Sequence, residues 1–140
     1  MAKKIRDVMS RKPVTLRLED TVHSAAEAMK ENDIGDVLVI DSENKIAGIV
    51  TDRDITVRAI AEGKDPSTTQ LSDVCSSNIA TIGPDAAVSE AVNIMRERAV
   101  RRLPVIDGDT PVGFVSIGDL AIERDERSAL ADISAAPSNE

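Results

Sequence analysis

Gly48-Ile49-Val50-Thr51-Asp52-Arg53-Asp54 returns further along the chain as Gly113-Phe114-Val115-Ser116-Ile117-Gly118-Asp119. In both stretches a glycine precedes two apolar residues, a hydroxyl residue, two variable positions and an aspartate. Working outward, Ile5-Arg6-Asp7-Val8-Met9-Ser10 returns as Leu71-Ser72-Asp73-Val74-Cys75-Ser76, an offset of 66 residues. At that offset Thr15 meets Thr81, Val22 meets Val88, Ala25 meets Ala91, Met29 meets Met95, and Val39-Ile40-Asp41 meets Val105-Ile106-Asp107. One residue is lost in the next turn, so Gly48 meets Gly113 and Asp54 meets Asp119 at an offset of 65. Agreement in this order marks a tandem duplication.

Each copy repeats one grammar. An extended piece (Pro13-Val14-Thr15-Leu16, or Ile79-Ala80-Thr81-Ile82) leads through cap-competent Asp20 and Thr21, or Pro84 and Asp85, into a helix. Val22, Ala25, Ala26 and Met29, and likewise Val88, Ala91, Val92 and Met95, recur at helical spacing. Two apolar strands joined by a polar turn follow, Val37–Ile40 with Ile46–Val50, and Leu103–Ile106 with Val112–Val115; each pair reads as a β-hairpin. A second helix starts near Thr51 or Ser116, the first stopping at Gly63 with Pro66 soon after. The last helix is expected to run through Glu123–Arg127 towards Ile133. Each β-α-β-β-α half is too small to bury both its faces, so the halves are expected to pack together as an α+β protein.

Composition bounds what such a chain can do. A folded chain of 140 residues buries about two-thirds of its unfolded surface, enough for one domain or two halves sharing a core without staples. No apolar run approaches the roughly 18 residues of a membrane span. Met1-Ala2-Lys3-Lys4 is basic but no apolar stretch follows, so secretion is not expected. A lone Cys75 excludes an internal disulfide and suits a reducing cytoplasm. Asp and Glu number 25 against 17 Lys and Arg, a net charge of −8, which repels nucleic-acid phosphates. Phe114 is the sole aromatic residue, so there is no platform on which bases could stack.

The repeated Thr/Ser-x-x-Asp admits two readings. A hydroxyl residue followed three positions later by an acid is a capping box and needs no ligand. A helix start also offers N–H groups to an anion, its hydroxyl can donate to phosphate, and an aspartate one turn inside can accept from both hydroxyls of a ribose. Glycine at the strand start would then admit a flat ligand close to the backbone. Both readings require the same residue types.

Two copies of this grammar, each ending in Gly-apolar-apolar-Thr/Ser-x-x-Asp, resemble a pair of cystathionine-β-synthase (CBS) domains. Val100-Arg101-Arg102-Leu103-Pro104-Val105-Ile106-Asp107 is similar to the family's second-copy strand, and Ile34-Gly35-Asp36-Val37-Leu38-Val39-Ile40-Asp41 to its first-copy version. The resemblance implies two β-α-β-β-α CBS repeats packed with pseudo-twofold symmetry, a CBS pair or Bateman module. Repeat 1 is placed at 5–63, a linker at 64–70, repeat 2 at 71–133 and a flexible tail at 134–140. No catalytic domain is expected beside them, and the chain is similar to stand-alone CBS-pair proteins, including the hypoxic-response type.

What the resemblance implies is a regulatory sensor without intrinsic catalysis. It would bind adenosine-containing ligands (AMP, ADP, ATP or S-adenosylmethionine) in two clefts between the copies and signal through conformational or dimer changes. Asp54 and Asp119 match the ribose-binding aspartates, and Thr51 and Ser116 the contacts at the helix start. Val14 and Thr15, or Ala80 and Thr81, match the extended segment that borders adenine; Val37 and Pro104 belong to the neighbouring strand. Arg101 and Arg102, helped by Arg53, are candidate phosphate contacts within a basic cluster that includes Arg96 and Arg98. The first copy has Gly35-Asp36 where the second has Arg101-Arg102, and Leu38 where it has Pro104, so one site is expected to prefer phosphorylated ligands.

The implied partners are an adenosine-containing molecule, a second copy in a homodimer and a regulated protein, with no nucleic acid and no membrane. No cofactor is required beyond the regulatory nucleotide. The alternative is a ligand-free dimeric interaction module in which the repeated motifs are caps only. His23 reads as a surface residue and Cys75, which replaces Met9 in the repeat, as a packed side chain. No zinc or calcium spacing and no set of nucleophile, base and orienter is evident, so neither a metal site nor catalysis is expected.

Overall fold

The structure, a computed structural model, describes residues 3–124. In chain order the elements are α1 (Ile5–Val8), β1 (Ser10–Arg11), β2 (Thr15–Arg17), α2 (Val22–Asn32), β3 (Asp36–Ile40), β4 (Ile46–Thr51) and α3 (Asp52–Asp54). α3 runs on as a π-helical stretch, Ile55–Ile60, and a 3-10 turn follows at Leu71–Asp73. Then come α4 (Val88–Arg98), β5 (Arg102–Asp107), β6 (Thr110–Ser116) and α5 (Ile117–Arg124). The continuation of the last helix towards Ile133 and the tail 134–140 lie outside the described residues.

The chain forms two compact units whose boundaries differ from those of the sequence repeats. One is Pro13–Ile79; the other joins residues 3–12 to residues 80–124. The opening segments are exchanged: Leu71 and Val74, from the start of the second repeat, are fully buried in the core of the first unit with Val22, Ala25, Met29, Val37, Val39, Val50 and Ala59. Ile5, the counterpart of Leu71, is fully buried in the other core with Ile82, Ala91, Met95, Leu103, Val105, Val115 and Leu120. The backbone bonds match one for one. Leu71 and Ser72 donate to the carbonyls of Asp20 (2.8 Å) and Leu18 (3.0 Å); Ile5 and Arg6 donate to those of Ala86 (3.0 Å) and Pro84 (2.9 Å).

In the unit Pro13–Ile79 the sheet order is β2-β3-β4, parallel between β2 and β3 and antiparallel across the hairpin. The other unit has the order β1-β6-β5. Both hairpins shift register at the same repeat position, between Val39 and Ile40 and between Val105 and Ile106. The extended piece expected at Ile79–Ile82 is reduced to a single parallel bridge, Ile82 with Val105. The cause is Pro104. In the first unit Leu38 donates to the Val14 carbonyl at 3.0 Å, whereas the proline at the matching place has no N–H to give Ala80.

Thr21 caps α2, its hydroxyl oxygen accepting from the Ser24 N–H at 3.1 Å. Pro84 and Asp85 do not cap α4. That helix starts after Ala87, without a side-chain cap, and Asp85 instead accepts from Arg6 Nε and Nη2 at 2.9 and 2.6 Å. Val22, Ala25 and Met29 face the core as expected, but Ala26 is exposed, one step of about 100° beyond Ala25, and Ala28 packs against the core in its place. Residues 64–70, though mostly exposed, are tied to the start of α2: the Thr69 and Pro66 carbonyls accept from Val22 and His23 at 2.9 Å each.

Candidate functional site

Each repeated motif folds as a strand end turning directly into a helix. Thr51 closes β4, its hydroxyl oxygen accepts from the Asp54 N–H at 3.0 Å, and Asp54 Oδ2 accepts from the Thr51 N–H at 2.9 Å. Ser116 and Asp119 repeat this reciprocal pair at 3.1 and 2.8 Å. Both aspartates therefore act as capping-box acids. The cap occupies one carboxylate oxygen, and an ionised carboxylate has about four acceptor positions, so capping leaves capacity for a further donor. In the first motif Asp54 Oδ1 lies 3.8 Å from Arg58 Nε, and the Asp54 side chain keeps 17% of its exposure.

The motifs are braced alike from the neighbouring strand. The Asp52 N–H donates to the Gly35 carbonyl and the Ile117 N–H to the Arg101 carbonyl, each at 2.9 Å. Their charges differ. Thr51 stands across the hairpin from Asp36, which is 8% exposed. Ser116 stands across from Arg102, whose guanidinium lies 4.7 Å over the Phe114 ring. The single aromatic residue thus holds an arginine beside the second motif through the attraction of a cation for a π-face.

The glycines do not leave room for a ligand. A Cβ on Gly48 would stand 2.7 Å from the Ser76 carbonyl oxygen and 3.0 Å from Cys75 Sγ; one on Gly113 would meet the Ser10 carbonyl oxygen and Met9 Sδ. The close approach expected of a flat ligand is made instead by the exchanged opening segments. Ser76 and Ile49 exchange backbone bonds of 2.9 and 3.0 Å, and β1 pairs with β6 in the same way.

Thr15 opens β2 beside Leu38, and Val14 is bonded to the same residue. Val37 is fully buried and packs inside the core, so the opposite face of β3 is carried by Asp36 and Leu38. Arg53 is exposed on α3. In the other unit Ala80 packs against the core, Thr81 and Arg101 are exposed, Arg102 is half-buried and Pro104 is buried. Arg96 and Arg98 lie in the last turn of α4, where cations complement the helix dipole. Sequence reasoning passed over Arg58. Its signal was the spacing of four residues from Asp54 along a helix.

Cys75 sits beside this cluster. Burial chiefly pushes its thiol pKa up; Asp54 adds to the rise, while a backbone hydrogen bond and Arg58 oppose it. It is held as a neutral thiol, in keeping with a packed side chain. His23 is exposed and lies 2.7 Å from Glu27.

The CBS domain model matches residues 5–59 and 71–125. The chain belongs to the CBS domain family. Its two CBS repeats are 33% identical over 134 residues to the CBS domain-containing protein YhcV of Bacillus subtilis, covering 93% of this chain and 94% of that protein. The crystal structure of Hypoxic Response Protein I with two coordinated zinc ions superposes with a TM-score of 0.79 at 33% identity, covering 85% of this chain and 97% of the other. The CBS domain pair of protein MJ0100, solved with 5′-methylthioadenosine and S-adenosyl-L-methionine, shares the fold at a TM-score of 0.80 and 22% identity, covering 91% and 100%. Among the described residues no three His, Cys, Asp or Glu side chains gather in a way that could hold a metal ion. No helix among them is long and apolar enough to cross a membrane.

Proposed function

We propose that the chain is a regulatory module that binds adenosine-containing ligands at its two Thr/Ser-x-x-Asp motifs and passes the event to a partner protein, without catalysis of its own. The observation that carries this reading is the repeated capping box in a CBS pair: both carboxylates are fixed in direction by their caps and still have acceptor capacity for a ribose diol. Around Asp54 a ligand would meet Thr51, Arg53, Val14 and Thr15; around Asp119 it would meet Ser116, Arg101, Arg102, Ala80, Thr81 and Pro104. Adenine would lie against aliphatic side chains and backbone, so a chain with one aromatic residue can hold it. A CBS fold of the same kind accommodates adenosine derivatives in MJ0100. Val57, Ile60 and Ile117, large apolar residues 46–57% exposed, supply surface that a homodimer would cover. Ligand binding regulates through that assembly only if the ligand prefers one of two arrangements.

Calorimetric titration with AMP, ATP and S-adenosylmethionine tests the reading. Saturable heat is expected in the wild type, and loss of one class of site in Asp54→Ala and of the other in Asp119→Ala. Each substitution also removes a capping-box acid, lowering stability by about 0.5–2 kcal/mol. Flat titrations of a folded wild-type protein would leave these aspartates as caps and make the chain a ligand-free interaction module.

A further inference from the structure

We propose that Arg58 is the anion-binding residue of the first CBS repeat: with ribose hydroxyls on Asp54, its guanidinium meets the phosphate of the nucleotide. The proposal deepens the nucleotide reading of Asp54 and rests on it. Arg58 is placed for this by two contacts within its own unit. Its Nη1 donates to the Val74 carbonyl at 3.3 Å and its Nε stands 3.8 Å from Asp54 Oδ1, while the side chain remains 52% exposed. One arm is anchored, and the half-exposed side chain keeps further donors of its five-donor planar fork beside the carboxylate proposed to hold the ribose.

The two repeats distribute charge in opposite ways, and this gives Arg58 its meaning. On the strand before the motif, the first repeat has Asp36 where the second has Arg102. On the helix after it, the first repeat has Arg53 and Arg58 where the aligned positions of the second are Gly118 and Glu123. At these aligned positions the cations come from the helix in the first repeat and from the strand in the second. In a chain of net charge −8 an anionic ligand needs such a local cation. Arg58 revises the expectation drawn from Asp36 alone, since the first site carries its own positive group next to the carboxylate.

The test compares AMP with adenosine in the wild type, Arg58→Gln and Arg58→Lys. Binding is followed by calorimetry and by protection of Cys75, the single cysteine, from N-ethylmaleimide. Cys75 follows Val74, whose carbonyl accepts from Arg58, and lies in the unit Pro13–Ile79, so its alkylation rate reports on this site and not on the one at Asp119. The expected result is that Arg58→Gln weakens AMP about tenfold or more at the Cys75-reported site and leaves adenosine within about twofold, with Arg58→Lys in between. Equal weakening of both ligands would overturn the proposal and make Arg58 a support for Asp54 only; unchanged AMP affinity would overturn it outright. If adenosine binding is lost in Asp54→Ala but the wild type holds AMP no tighter than adenosine, the proposal falls and the nucleotide reading stands. If neither ligand binds the wild type or protects Cys75, both fall.

Discussion

Removing residues 1–12 is expected to destabilise the unit built on the β5–β6 hairpin far more than Pro13–Ile79. The segment supplies Ile5, fully buried among Leu103, Val105, Val115 and Leu120, and places Val8 and Met9 against the same core. Truncating one such buried residue costs about 2–5 kcal/mol. β1 also pairs with the edge of β6, and the Ile5 and Arg6 backbone bonds hold the turn at Pro84–Ala86. Loss of all of these approaches the whole stability of a small domain, about 5–15 kcal/mol. The exposed Arg6–Asp85 ion pair is a minor part, at about 0–1 kcal/mol. Pro13–Ile79 is continuous in sequence and already contains its own exchanged piece, Leu71–Ser76. Amide exchange should show Leu103, Val105 and Val115 losing protection while Val37, Val39 and Val50 retain it. Retained protection at Leu103 and Val105 would contradict this account.

The second large effect is expected at Gly48→Ala and Gly113→Ala. Neither glycine has a positive φ, so an L residue can adopt the backbone conformation. The cost comes from space. The new methyl group meets a backbone carbonyl, that of Ser76 or Ser10, which cannot turn aside as the end of a side chain could. Overpacking of this kind costs about 1–3 kcal/mol, and the pairing of the opening segment should loosen first. Gly63→Ala is the contrast: φ is +74° with nothing within 4 Å, so any loss there comes from backbone conformation alone. Urea unfolding with amide exchange at Ser76 and Ser10 checks both. Wild-type stability and exchange in Gly113→Ala would show that β1 does not lie against that glycine.

The repeat, both hairpins and both capping boxes were legible because they rest on local pattern: apolar runs, a polar turn, and a hydroxyl three residues before an acid. The exchange of opening segments was not. Ile5 and Leu71 are equivalent in the repeat and equally apolar, so either core could receive either one by composition; long-range backbone pairing decides. The ends of α2 and α4 were hidden as well, since Asp33 and Ala99 take the left-handed conformation that usually marks a glycine. Ala99 does so at a cost of about 1–2 kcal/mol. The shortened pairing at Ile82 could have been read from Pro104, whose missing N–H removes one rung. At the site, the sequence placed Thr51, Asp54, Ser116 and Asp119 where two readings meet. It assigned the glycines to a ligand that the chain's own backbone displaces. Val37 was expected at the ligand, yet alternation along β3 sends its side chain to the core.

The most direct measurement separates cap from ligand contact at the same atoms. Asn in place of Asp54 and Asp119 keeps a side-chain oxygen able to accept from the Thr51 and Ser116 N–H groups, but loses the charge and one acceptor that a ribose diol needs. The double variant Asp54→Asn/Asp119→Asn should unfold in urea within about 1 kcal/mol of the wild type and show no saturable AMP binding. A double variant that unfolds alike and still binds AMP with wild-type affinity would contradict the assignment of these carboxylates to the ligand.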